Sequence, residues 1–163
     1  MIEVIVDTIR ARLTGHERLI LLKEVGRDRQ LPIYIGVSEA DAIALELRGY
    51  QPSRPLTHDL LTSCIAELGG TLQYVLISEL KDDVFWAVLH VEQNGREIDI
   101  DARSSDSIAI AVRAKVPIYV TDEILKRAGI WPSEEIAEDR EQLAAFRNFV
   151  DTLDLDDLGE TKP

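Results

Sequence analysis

Residues 99–120 read DIDARSSDSIAIAVRAKVPIYV, and this stretch decides the fold because three elements follow one another in it. Acidic and apolar residues alternate up to Asp101, which is the pattern of a strand. Ser104 or Ser105 can then cap a helix that has an apolar face. The apolar run after Pro117 predicts a short buried strand. A strand, a helix and another strand in one connected stretch indicate a sheet with a helix packed on it.

Turn signals on the N-terminal side divide the rest of the chain. Asn94-Gly95 is a strong hairpin signal, and Asp82-Asp83 is typical of another tight turn. The other predicted strands are 2–13, 18–25, 31–36, 71–80, 84–93 and 96–101. Because short turns join most of them, the sequence predicts an α+β fold with a mostly antiparallel sheet and helices packed against it.

Two helices are predicted between residues 36 and 71. Ser38 is expected to cap the first, and Gly49 ends it. Thr57 is expected to cap the second, and Gly69-Gly70 end it. The predicted buried side of this second helix comprises Leu60, Leu61, Cys64, Ile65 and Leu68.

The Trp131-Pro132 pair separates a predicted domain, residues 1–132, from a predicted acidic helical tail, residues 133–163. Residues 134–163 hold ten acids and three bases, so most of the acid excess of the chain lies there. Apolar residues recur in this tail at helical spacing, namely Leu143, Phe146, Phe149, Val150 and Leu153. The tail is therefore expected to be a helix whose acidic end is frayed.

Composition limits the class of protein. The chain has 163 residues, 45% of them hydrophobic, which suits one domain with its own core. Its single cysteine, Cys64, excludes a disulfide within the monomer and favours a reducing compartment. No segment has the ~20 consecutive apolar residues of a membrane span, so a cytoplasmic protein is expected. The net charge of −12 argues against tight, nonspecific nucleic-acid binding, which depends on cations.

Carboxylates cluster around the quoted stretch. Asp99 and Asp101 are two residues apart in a strand and point to the same face, while Asp106 follows in the next helix. Three such oxygens, with Glu39 from the first helix, could hold a hard cation such as Mg²⁺. The alternative is a solvated strand face, with Asp106 and Glu39 compensating helix dipoles.

Cationic side chains precede two of the helices. Arg54 and Arg103 could each bind a phosphate beside a helix start, because a guanidinium binds phosphate through two parallel hydrogen bonds. The alternative is a salt bridge to a neighbouring aspartate. His58 lies beside Asp59, and histidines titrate near neutral pH, so His58 could act as a general base. The alternative is a histidine that only hydrogen-bonds its loop.

Three stretches together resemble a known family. They are LPIYIGVSEADAIALELRG (31–49), RPLTHDLL (54–61) and DIDARSSDSIAIAVRAKVPIYV (99–120). Their order and gaps are similar to those of the bifunctional nuclease domain family of bacteria and plants, over roughly residues 1–130. FRNFVDTLDLDDL resembles the acidic tail of some bacterial members. Ser104 departs from the pattern, which usually has proline at that position.

The resemblance implies an α+β fold, self-association, and DNase and RNase activity. The matched polar residues are Glu39, Arg54, Thr57, His58, Asp59, Asp101, Arg103, Ser105 and Asp106. Residue chemistry, rather than the resemblance, assigns their roles, and it predicts that His58, Asp59, Asp101 and Asp106 are catalytic. Arg54, Arg103, Thr57 and Ser105 are predicted to bind phosphate. Asp99, Asp101, Asp106 and Glu39 are predicted to hold a divalent cation, such as Mg²⁺.

Two hypotheses follow. In the first, the protein is a homo-oligomeric nuclease, most simply a dimer, that acts on DNA and RNA. In the second, it is a non-catalytic oligomeric binding or regulatory module, in which the polar cluster is structural and the acidic tail engages a partner protein. Geometry separates the two, because the catalytic hypothesis requires the segments around His58 and Asp106 to meet at an open cleft.

Overall fold

A computed structural model describes residues 1–11 and 17–132 of the chain. Seven strands and four helices lie in this described part. In chain order they are β1 (Ile2–Ala11), β2 (Glu17–Glu24), β3 (Gln30–Gly36), α1 (Val37–Leu47), α2 (Thr57–Glu67), β4 (Thr71–Lys81), β5 (Val84–Gln93), β6 (Arg96–Arg103), α3 (Ser104–Ala114), β7 (Ile118–Val120) and α4 (Asp122–Ala128). The predicted tail, residues 133–163, and the predicted turn after β1 lie outside the described residues.

The strands form one sheet in the order β3-β2-β1-β7-β4-β5-β6. All neighbouring strands are antiparallel except β7 and β4, which are parallel. The prediction of an α+β fold with a mostly antiparallel sheet and packed helices is therefore confirmed.

The stretch quoted first connects the two halves of the sheet. It leaves edge strand β6, crosses through α3, and returns as β7 in the middle of the sheet. Although β7 has only three residues, it pairs with both β1 and β4. Without β7 the hairpin β1–β2 with β3 and the meander β4–β5–β6 would have no hydrogen bonds to each other in the sheet. This short strand therefore joins two antiparallel units into one sheet.

Helix α3 lies at the centre of the core. Its residues 107–111 are fully buried against strands β4 and β5 and against helices α1 and α2. Ala109 and Ala111 are small, which allows close approach, while Ile108 and Ile110 fill the space between helix and sheet. Because the residues of α3 are fixed by this packing, the polar side chains at its first turn are held in a defined position.

The structure corrects the predicted helix starts. Ser38, Thr57 and Ser104 or Ser105 were predicted as caps. The cap positions are instead held by Gly36, Leu56 and Arg103, whose own side chains form no capping hydrogen bond. The predicted caps all lie within the first turns of their helices instead. A serine or threonine near a helix start does not show which residue has the extended backbone of the cap. Each predicted cap was therefore one or two positions too far along the chain.

The predicted buried side of α2 is wrong. Leu60, Leu61 and Leu68 are 56%, 43% and 76% exposed, and Cys64 is exposed as well. Only Ile65 of the predicted set packs against the core. The periodic pattern identified an apolar face correctly, but a pattern does not show whether another element covers that face. Among the described residues, no helix is both long and apolar enough to cross a membrane.

Candidate functional site

The N-terminal ends of α1, α2 and α3 meet around an open cavity of about 340 Å³. Its lining comprises Ser38, Glu39, Asp41, Ala42, Leu45, Leu56, Thr57, His58, Arg103 and Asp106. The first turn of a helix has backbone N–H groups without helical partners and carries partial positive charge. Three such ends around one cavity favour the binding of an anion such as a phosphate group.

Asp106 joins α3 to α2 in this cavity. His58 Nε2 lies 2.9 Å from Asp106 Oδ1, and Arg103 Nε donates to Asp106 Oδ2 at 2.7 Å. Both oxygens of one carboxylate are thus engaged, one by each helix start. The two segments that the sequence predicted to meet, RPLTHD and DARSSD, do meet here.

Hydrogen bonds determine the ionisation state of Asp106. Burial would raise the pKa of this carboxyl, but the hydrogen bonds from Arg103 and His58 outweigh burial and hold the pKa below its usual value. Asp106 is therefore ionised at neutral pH and accepts both bonds. In a neutral imidazole, Nε2 must then carry the proton, and Nδ1 has the lone pair.

The Nδ1 atom of His58 takes no part in the pair with Asp106. It has no hydrogen-bond partner among the described residues. Within that part of the chain Ser107 Oγ is the sole buried side-chain polar atom that lacks a partner, so Nδ1 is not buried. The backbone behind the ring is held as well, because Thr62 Oγ1 donates to the carbonyl oxygen of His58 at 2.9 Å. His58 lines the open cavity, and an oriented imidazole with an unbonded nitrogen can accept a proton from a bound molecule.

Arg103 connects the pair to α1. Its Nη2 donates to Glu39 Oε1 at 2.7 Å, so one guanidinium binds two carboxylates from different helices. These bonds, the stronger contribution being that of Asp106, raise the pKa of Arg103 further above its usual value. The arginine side chain is still 68% exposed, so it can also contact a molecule in the cavity.

A second ion pair, between Arg113 and Asp59, connects the helices that surround the cavity. Arg113 Nε donates to Asp59 Oδ1, and the other guanidinium nitrogens donate to the carbonyl oxygens of Ala109 and Ala42. The second oxygen of Asp59 accepts the backbone N–H of Leu56. Burial would raise the pKa of Asp59, but these hydrogen bonds lower it overall. Arg113 therefore links α3 to both α2 and α1.

Sequence reasoning did not identify Arg113, and it assigned Asp59 to catalysis. The available signal was an arginine in an otherwise apolar helical run, IAIAVRA (108–114), where a charge is expensive to bury unless it is paired. Both oxygens of Asp59 are occupied by protein groups, and Asp59 does not line the cavity. This geometry favours a positioning role for Asp59.

Of the nine matched polar residues, five line the cavity: Glu39, Thr57, His58, Arg103 and Asp106. Arg54 is exposed in the loop before α2, and Ser105 is buried in the first turn of α3. Asp101 is exposed on β6 opposite Val88. None of these three lines the cavity.

Asp99 belongs to another cluster. On the sheet face that points away from α3, His90 Nδ1 lies 2.7 Å from Asp99 Oδ1. The ring of Tyr74 stacks on His90 with a centroid distance of 4.5 Å. These three residues are cross-strand neighbours on β4, β5 and β6, which explains their contact.

The four predicted metal ligands do not form one set. Asp99 is bonded to His90, whereas Asp106 and Glu39 are bonded to Arg103. Within residues 1–11 and 17–132, no three histidine, cysteine or acidic side chains are grouped closely enough to hold a metal ion. The arrangement of these side chains therefore does not fit the predicted set of four metal ligands.

Comparison with known proteins gives consistent similarities. The sequence pattern of the bifunctional nuclease domain matches residues 20–133. An uncharacterised protein of Mycobacterium tuberculosis is 42% identical over 165 residues, which is 98% of this chain and 99% of that protein. Bifunctional nuclease 1 of Oryza sativa is 30% identical over 118 residues, or 71% of this chain and 36% of the rice protein. Bifunctional nuclease 2 of Arabidopsis thaliana is 28% identical over 108 residues, which is 64% of this chain and 33% of that relative.

Proposed function

The chain belongs to the bifunctional nuclease domain family, and from that premise we propose that it hydrolyses the phosphodiester bonds of DNA and RNA. The observation that carries the proposal is the His58–Asp106 pair beside Arg103 at an open cavity. The pair supplies a general base and a carboxylate that orients it, and Arg103 supplies a positively charged side chain for the phosphate. These groups suit the hydrolysis of a phosphodiester.

In the proposed reaction His58 acts as general base. Its Nδ1 removes a proton from a water molecule while the water oxygen attacks phosphorus. A new P–O bond forms and the ester P–O bond on the opposite side breaks. The leaving oxygen takes a proton from solvent, and the imidazolium returns its proton to solvent. Asp106 holds the ring in the required tautomer and stabilises the imidazolium that forms.

Arg103 and the helix starts bind the phosphate in this proposal. The guanidinium and the N–H groups at the starts of α2 and α3 would stabilise the negative charge that grows on the phosphoryl oxygens. Thr57 lines the same cavity and can donate its hydroxyl. Arg54, which is exposed just before α2, would contact the nucleic acid outside the cavity.

A second candidate function is a non-catalytic oligomeric module, most simply a dimer. The observation in its favour is the exposed apolar face of α2, which contains Leu60, Leu61 and Leu68. Exposed apolar patches mark association sites, and closed dimers are the commonest assembly. A nuclease can also form a dimer, so the molecular mass in solution tests only whether the apolar face of α2 is an interface. Light scattering should give a dimer for the wild type and a monomer for Leu60→Glu/Leu61→Glu; a monomeric wild type would refute the interface.

The test of the nuclease proposal compares two histidines. Highly purified wild type, His58→Ala and His90→Ala proteins are assayed on single-stranded DNA and RNA, each with and without EDTA. Loss of a general base should lower the rate by about 10²–10⁴-fold in His58→Ala, whereas His90→Ala should stay near the wild-type rate. Equal rates for the wild type and His58→Ala would contradict the proposal. Inhibition of the wild type by EDTA would show that a cation takes part.

A further inference from the structure

The contact between Glu39 and Arg103 occupies a guanidinium donor that a phosphate group could also use. The carboxylate oxygen Oε1 accepts from Arg103 Nη2 at 2.7 Å, inside the cavity. A guanidinium offers the same fork of N–H donors to carboxylates and to phosphates. A phosphate that binds this edge of Arg103 must therefore take the place that the carboxylate of Glu39 holds.

Gly36 makes room for this position of Glu39. A Cβ atom built on Gly36 would overlap Glu39 Oε2, so the carboxylate folds back over a residue without a side chain. The backbone at Gly36 is extended, with φ of −67° and ψ of 158°, which any residue can adopt. Glycine is therefore not needed here for its backbone freedom, and its effect is the space it leaves for Glu39.

The two carboxylates on Arg103 are not equivalent. Asp106 also binds His58, so its displacement would release the base. Glu39 has a hydrogen bond only to Arg103 among the described residues, so it can leave without disturbing His58. The acidic side chains lining the cavity repel each other and would repel a phosphate as well, so loss of the Glu39 carboxylate should make phosphate binding easier. Glu39, Asp41 and Asp106 oppose Arg103, which leaves an excess of two negative charges when His58 is neutral.

We propose that Glu39 occupies the phosphate position on Arg103 and that the substrate phosphate displaces it, which makes Glu39 a determinant of substrate affinity. The inference rests on the proposed function for its substrate, a phosphodiester, but its central contact can be tested with phosphate alone. Removing the carboxylate should strengthen phosphate binding and lower KM, with little change in kcat, because His58 and Asp106 are untouched.

Three variants distinguish the Glu39–Arg103 contact from the effect of negative charge in the cavity. Glu39→Gln keeps the shape and removes the charge. Gly36→Ala keeps the charge, but its methyl group would overlap Glu39 Oε2, so the carboxylate has to leave its present position. Asp41→Asn is the matched control, because Asp41 lines the same cavity and is exposed but forms no ion pair in the described structure. Thermal unfolding of each variant shows whether it is folded.

The measurement is an NMR titration with inorganic phosphate at 0.15 M salt, followed by kcat and KM on a short single-stranded DNA. Glu39→Gln and Gly36→Ala should each bind phosphate about fivefold more tightly than the wild type, and Asp41→Asn less than about twofold, because exposed charges are screened. Equal gains in Glu39→Gln and Asp41→Asn would overturn the specific contact. Weaker phosphate binding in Glu39→Gln would overturn it too, because Glu39 would then assemble the site.

The nuclease proposal can fail independently. If none of the proteins cleaves DNA or RNA but the two variants still gain phosphate affinity, the inference about Glu39 stands and the nuclease proposal falls. If the wild type cleaves DNA and both variants have unchanged KM and unchanged phosphate affinity, the inference falls and the nuclease proposal stands.

Discussion

His58 binds Asp106 through Nε2 at 2.9 Å, and His90 binds Asp99 through Nδ1 at 2.7 Å, but the two pairs lie in different surroundings. The first pair lies between two helix starts in a cavity, and Arg103 binds the second oxygen of its carboxylate. The second pair lies on an open strand face, where Asp99 is 69% exposed.

The difference shows which surroundings single out one histidine–aspartate pair as the candidate site. Asp106 is 25% exposed and two bonds hold its pKa low, so it can fix the tautomer of His58. Asp99 is exposed and has no second protein group on its carboxylate among the described residues, and Tyr74 covers one face of the His90 imidazole. Sequence alone shows histidines and aspartates in both places. The surrounding helices make one pair a candidate site.

Of the changes considered, removal of Arg113, which links α3 to α1 and α2 around the cavity, should lower the free energy of unfolding most. In Arg113→Met, the carbonyl oxygens of Ala42 and Ala109 lose their donors and Asp59 loses its buried partner. Breaking a buried ion pair costs about 3–5 kcal/mol. Urea unfolding should therefore show a free energy of unfolding that is about 3 kcal/mol lower. The proposed nuclease activity should fall as well.

The His90–Asp99 pair offers the matched comparison for that loss. Asp99→Asn removes a charge from an exposed pair, and exposed pairs contribute below about 1 kcal/mol. If Arg113→Met and Asp99→Asn destabilise the protein equally, the contrast between a supported pair and an open pair is wrong.

The pH dependence of the free energy of unfolding should reveal the ionised state of Asp106. Because the pKa of folded Asp106 is lowered, its ionised form stabilises the fold above the unfolded-state pKa of about 4. This stabilisation is lost as the pH falls through the lower folded-state pKa. Asp106→Asn should thus cost about 2 kcal/mol at pH 7, since hydrogen bonds to charged groups contribute that much.

Unfolding curves of wild type and Asp106→Asn, measured between pH 2 and 7, check this prediction. The two stabilities should converge at the acid end, where Asp106 is protonated in both states. A difference that stays constant down to the lowest pH would show that the ionisation of Asp106 has no part in it.

The sequence predicted much of the fold because local signals and packing agreed. In residues 99–120 most of the apolar residues are buried in the core or packed against it, so the hydrophobic pattern predicted the elements correctly. The tight turns at Asp82-Asp83 and Asn94-Gly95 determined which strands pair as hairpins. The exposure of Leu60 and Leu61 was not predictable, because an apolar helix face is the same in sequence whether it meets the core or a solvent-exposed surface.

The candidate site was predictable in its parts but not in its pairings. His58, Arg103 and Asp106 were identified from residue type and position near helix starts. That Asp106 would bind His58, and that Asp99 would bind His90 instead of joining Asp106, depends on strand register and helix packing. Arg113 lay inside the quoted stretch, but its partners come from two other helices, so the sequence did not reveal its role.

The most direct test of the central claim is a double-mutant cycle on nuclease activity. The rates of wild type, His58→Ala, Asp106→Ala and the double variant are measured on the same DNA and RNA. If the two residues act as one unit, each single variant should lose activity by about 10²-fold or more, and the double variant should be little worse than either. Losses that multiply in the double variant, or an active Asp106→Ala protein, would contradict the claim that this pair performs the chemistry.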